Sequence, residues 1–121
     1  MATVIAVAVA SGLGGLARYG ISNTFHGEAL PWATVAINVV GSFLLGVLVV
    51  LPHDWLSESS RSTIGVGLLG GFTTFSTFSV QAFLDFEAGE PAKGLLYVAA
   101  SVVLGIGAAA AGYFAARGAF H

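Results

Sequence analysis

Charge in this chain falls almost wholly in three connections and the tail, and that placement limits the possible folds more than any single motif does. Asp, Glu, Lys and Arg make up 8% of the residues and hydrophobic residues 56%, against roughly 25% charged in an ordinary soluble domain. Between the charges lie four apolar stretches, about residues 3–21, 32–51, 62–86 and 94–116. Each is near the ~20 residues a membrane-spanning helix needs. The pattern predicts an all-α, multi-pass protein of the cell membrane (inner or plasma), with residues 1–121 forming a single four-helix transmembrane domain. The first stretch lacks the Lys/Arg lead of a cleaved signal peptide and reads as a retained span. The lipid bilayer is therefore an expected partner. Nucleic acid is not, because the net charge is −2 and no basic patch is present. With no Cys, disulfides and thiolate metal sites are excluded.

Within the spans, polar and small residues fall into register. In the second span Thr34, Asn38 and Ser42 recur every four residues and share one helical face, which Gly46 extends. Such a stripe either holds helices together or lines a path. In the fourth span Tyr97, Ser101 and Gly105 follow the same spacing, and in the third Gly67 and Gly71 stand in the spacing that lets two helices approach closely. Arg18 and Tyr19 close the first span as interface residues, with Arg18 able to face a watery vestibule. Pro52 ends the second.

The third span carries Gly70-Gly71-Phe72-Thr73-Thr74-Phe75-Ser76-Thr77-Phe78. A Gly pair followed by hydroxyl residues makes a poor continuous helix, because Gly loses backbone entropy and Ser/Thr side chains compete for backbone groups. This predicts a third helix broken at mid-membrane. Freed backbone groups cannot face hydrocarbon, so protein must bury the break or a polar path must pass it.

Lys/Arg excess normally sets orientation, and here the count is balanced. Arg61 and Arg117 fall on one side of the membrane and Arg18 and Lys93 on the other. A chain without bias can insert both ways, so the expected assembly is a dual-topology antiparallel homodimer, equivalent to an inverted repeat made of two chains.

The middle of each span lacks Asp, Glu, Lys and His, leaving neutral donors: Asn38, Ser42, Thr73, Thr74, Ser76, Thr77, Ser79, Gln81, Tyr97 and Ser101. Amide and hydroxyl groups, together with the positive edges of Phe rings, can pass a dehydrating anion. Carbonyls at a break also suit a hard cation such as Na⁺. No nucleophile, base and orienter can be assembled, so an enzyme is not expected. His26, His53 and His121 stand apart without metal-ligand spacing. The glycines around residue 12 lack the Lys-Ser/Thr ending of a phosphate loop.

Three motifs in order resemble the Fluc (CrcB) family of fluoride channels. They are Gly15-Leu16-Ala17-Arg18-Tyr19, the run from Thr34 to Phe43 with its Asn38 and Gly41-Ser42, and the run from Gly70 to Phe78. The resemblance covers the whole chain in length and span order. It implies a fluoride-selective channel for passive export of cytoplasmic fluoride, with two pores shared by the subunits of an antiparallel dimer. It further implies a structural Na⁺ at the dimer centre, held by the backbone carbonyls of Gly70 and Thr73. Phe75 and Phe78 would present ring edges to fluoride and Asn38 an amide. Ser76 and Thr77 would supply hydroxyls, Tyr97 and Ser101 a polar track, and Arg18 a vestibule or assembly contact. Thr34, Ser42 and Gln81 are further candidates for the pathway. Gln81 stands where some relatives carry Glu, and Gly105 where a further hydroxyl could continue the track. The alternative is a small dual-topology proton-coupled exporter, which would need a membrane-embedded carboxylate.

Overall fold

The computed structural model describes residues 1–24 and 31–121. His26 and Glu28 of the first connection lie outside the described residues. Among the described residues helix is the only regular secondary structure, and four helical stretches are long and apolar enough to cross a membrane: Ala2–Thr24, Trp32–Val50, Glu58–Glu87 and Pro91–Phe120.

Local chemistry sets most of the ends. Helix α1 (Ala2–Thr24) finishes with the Thr24 hydroxyl donating to the Gly20 carbonyl, 3.1 Å. Helix α2 (Trp32–Val50) stops as Leu51 turns extended ahead of Pro52, whose ring disfavours α geometry in the residue before it. The third stretch begins at Glu58, four residues before the expected Ser62, because Ser57 caps it. The Ser57 hydroxyl accepts from the Ser60 N–H at 3.1 Å, and Glu58 sits favourably in the first turn of α3 (Glu58–Ser62). A π-helical segment, Thr63–Leu69, follows, and α4 (Gly70–Phe72) completes that run. Helical winding then lapses. Thr73 is extended (φ −83°, ψ 162°), and α5 (Ser76–Glu87) starts a new run. Gly89, at φ 77°, ends it: its N–H and that of Glu90 fold back to the carbonyls of Phe86 and Asp85. A glycine suits this left-handed closing turn because it has no Cβ to clash. Helix α6 (Pro91–Phe120) opens on a proline whose missing N–H costs nothing there, three residues before the expected Gly94. It runs past the expected Ala116 because its end is held. The Phe120 ring meets Trp55 edge-on at 4.9 Å, and the His121 ring lies 2.6 Å from the Val50 carbonyl.

Glycine determines which helices pair. A Cβ on Gly14 of α1 would strike the Leu68 carbonyl, and one on Gly71 would strike the Ser11 backbone, while Gly67 faces Ala10. These absent side chains let α1 lie backbone to backbone against the π segment and α4. On the other side, Gly46 meets the Ala109 carbonyl and Gly112 the Phe43 carbonyl, joining α2 to α6. The third stretch therefore changes partner. Its first half belongs with α1 and its second half, α5, packs on α6. The lapse at residues 73–75 is where it crosses from one pair to the other. A small core of Val35, Ala82 and Tyr97, flanked by Val39, Phe78 and Val98, fills the space between α2, α5 and α6.

Candidate functional site

Two backbone groups that the lapse leaves without helical partners are taken up by one side chain. Asn38, in the middle of α2, donates through Nδ2 to the Thr74 carbonyl and accepts through Oδ1 from the Thr74 N–H, both at 2.9 Å. The amide thus replaces the two hydrogen bonds a continuing helix would have made. One Nδ2–H is left over. The Thr74 hydroxyl accepts from the Thr77 N–H at 3.2 Å, acting as a cap for α5, and the Thr73 hydroxyl donates back to the Leu69 carbonyl at 2.9 Å. Gly41, one turn from Asn38, is needed because any Cβ there would overlap the Thr73 methyl. From the other side the Arg18 Nε donates to the Gly71 carbonyl at 3.3 Å.

Carbonyls survive this accounting. Among the described residues no donor reaches the oxygens of Gly70 or Thr73. Both residues border a cavity of about 370 Å³, with Asn38, Ser42 and Ser101 also on its wall. The Ser101 hydroxyl is buried and has no hydrogen-bond partner among the described residues. Ser42 stands opposite the gap in the α6 track, its Oγ 4.0 Å from where a Gly105 Cβ would be. The hydroxyl missing from α6 at that level is supplied by α2.

Aromatic rings lead out of the cavity. Phe75, 77% exposed, lies 5.8 Å from Phe78, which lies 5.1 Å from Tyr97. Tyr97 is 1% exposed and donates its hydroxyl to Gln81 Oε1 at 2.8 Å. The structure therefore brings together Asn38, Ser42, Gly70, Thr73, Phe75, Phe78 and Ser101 around one cavity, with Tyr97 and Gln81 behind Phe78. Thr34 is 4% exposed and buried in the first turn of α2, away from the cavity wall. Ser76 is exposed and Thr77 half-buried on the first turn of α5, also off that wall.

Sequence reasoning did not single out Thr74 as Asn38's partner, because the contact spans 36 positions. Nor did it give Arg61 a role. That guanidinium donates to the carbonyls of Leu48, Leu51 and Pro52 at 2.6–2.9 Å, closing the C-terminal end of α2. Its place among polar residues of a connection gave no sign of this.

Comparison with known proteins agrees with this reading of the helices. Residues 5–113 match the family described as CrcB-like protein, Camphor Resistance (CrcB). The chain is 42% identical to a protein of Geobacter sulfurreducens named fluoride-specific ion channel FluC, covering 97% of this chain and 98% of that one. It is 45% identical to the FluC of Rhodospirillum centenum, over 93% of each. It is 39% identical to that of Thermus thermophilus, over 93% of this chain and 94% of the relative. A match along nearly the whole length, through the Asn38 and Gly70–Phe78 segments described above, places this chain in the CrcB family.

Proposed function

We propose that this protein is a fluoride-selective channel, not an enzyme, that lets cytoplasmic fluoride leave the cell down its gradient. The observation that carries the proposal is the cavity at the helical lapse. It is walled by neutral donors and phenylalanine rings and lies in a chain 42% identical to a named fluoride-specific channel. An anion entering there gives up water. It can regain contacts from the Ser101 hydroxyl, from Ser42, from the spare Asn38 N–H and from the positive edges of Phe75 and Phe78. Only a small anion comes close enough to recover its hydration energy from so few donors, which favours fluoride over chloride.

The same reading makes the working unit an antiparallel dimer, inserted in both orientations, with the lapse at mid-membrane and two pathways lined by both subunits. Its support is the even division of Lys and Arg and the 77% exposure of Phe75, a ring that one chain leaves uncovered. The carbonyls of Gly70 and Thr73, which accept from no protein donor among the described residues, fit a Na⁺ at the dimer centre. Uncharged oxygens of this kind suit a hard cation. When bound, Na⁺ would supply fixed positive charge and hold the two lapses together.

Efflux from proteoliposomes loaded with fluoride or chloride is the test. Rapid fluoride release with chloride retained is expected, and comparable rates for the two anions would overturn the proposal. Phe75→Ile and Phe78→Ile should each slow fluoride by an order of magnitude or more. Undiminished flux in both would remove the rings from the pathway.

A further inference from the structure

Helices α5 and α6 are joined by a ladder that continues outward beyond Tyr97. Phe78 and Gln81 meet Tyr97 at one level. One turn further along, Asp85 follows Gln81 on α5 and Lys93 precedes Tyr97 on α6. There the Lys93 ammonium lies 3.6 Å from Asp85 Oδ1 and 3.5 Å from Glu90 Oε2. A four-residue step along a helix is about 6 Å, so this ion pair sits one level beyond the Gln81–Tyr97 bond. The two charges are not equally placed. Asp85 is the deeper, with its side chain 15% exposed against 36% for Lys93 and 56% for Glu90, and its Oδ2 is buried with no hydrogen-bond partner. Gly94 permits that depth, since even a Cβ there would stand 3.3 Å from Asp85 Cβ and 3.2 Å from the Phe86 ring.

A half-neutralised carboxylate at the end of an anion path is a barrier. Resting on the channel reading above, we propose that Lys93 is a rate-determining residue for anion entry. It offsets Asp85 and the more exposed Glu90 together, so that an approaching anion meets less negative charge at this mouth. Mouths lined by one sign of charge change the local concentration of a small ion, an effect that falls with ionic strength. Without Lys93 the approaching anion meets Asp85, and Glu90 beside it, uncompensated.

The test uses full-length protein reconstituted in liposomes, with fluoride efflux measured at low and high ionic strength. The rate is read only in vesicles that empty, so misfolded protein shows as a smaller emptying fraction and not as a slower rate. Lys93→Gln should slow fluoride about tenfold at low salt, with the deficit shrinking at high salt. Adding Asp85→Asn in the same chain should restore the rate to within about threefold of wild type. Asp85→Asn alone should be at least as fast as wild type. An unaffected Lys93→Gln, or a double variant as slow as the single one, would overturn the assignment while leaving the channel intact. Wild-type vesicles that retain fluoride would overturn the channel reading itself, and this inference with it.

Discussion

At the scale of the residue, Asn38 does two jobs with one amide. Its carbonyl and one N–H hold the Thr74 peptide, and its second N–H is left over on a residue that lines the cavity. Asn38→Ala strips both bonds and strands a half-buried peptide. Each unmet group costs about 1–3 kcal/mol, so detergent-solubilised variant should unfold at clearly lower temperature and lose fluoride flux together. Asn38→Asp keeps the acceptor but sets a carboxylate against the Thr74 carbonyl, and should be no better. A variant with full thermal stability but no flux would show that the clamp is dispensable and only the spare N–H matters. The four-residue rhythm of Thr34, Asn38 and Ser42 made this face legible in sequence, although it could not separate glue from lining. In the structure Thr34 is buried beside Tyr97, Asn38 holds the Thr74 peptide, and Ser42 is on the cavity wall. The distant partner was not legible, because periodicity within one helix carries no information about which peptide in another it will meet.

At the scale of the element, stability rests on backbone-to-backbone contact through glycine. Gly112→Ala would drive a methyl into the Phe43 carbonyl, and overpacking of this kind costs typically about 1–3 kcal/mol. Gly107, on the same helix, has nothing within 4 Å of its would-be Cβ. Gly107→Ala should therefore leave the unfolding temperature unchanged or slightly raised, since Ala is the better helix former by up to about 1 kcal/mol. Equal losses in the two variants would show that helix contact is not what distinguishes them. Arg61 gives a second case. Arg61→Ala removes three bonds at the end of α2 and leaves the Leu51 carbonyl unpaired, while Leu48 and Pro52 keep the N–H groups of Leu51 and Trp55; bonds to charged groups contribute about 1.5–3 kcal/mol each. Arg61→Lys should recover only part, because an ammonium lacks the planar fork that reaches several carbonyls at once. Complete rescue by Lys would reduce Arg61's role to charge alone. The Gly67/Gly71 spacing announced one close helix pair in the sequence. The π-helical winding of Thr63–Leu69 had no such signal in the sequence.

At the scale of the whole molecule, apolar length and charge placement were enough to count four helices able to span a membrane. What the lapse accomplishes became visible only in three dimensions, because partner exchange between helix pairs depends on contacts far apart in sequence. Dual insertion makes a direct prediction. The chain has no Cys, so Ser57→Cys in the exposed second connection supplies a unique label. An impermeant thiol reagent should modify about half of it from either face of the membrane, as an unbiased charge distribution requires. Labelling from one face alone would rule out opposed insertion. The exchange of partners at residues 73–75 also ties the molecule's two halves in series. Neither pair can shift without pulling on the same three residues, and Asn38 staples them in place. Slack that would otherwise collect at the lapse is removed there. On the channel reading proposed above, a passage stiffened in this way would hold its oxygens and ring edges at fixed separation, the condition for telling apart ions whose radii differ by a fraction of an ångström.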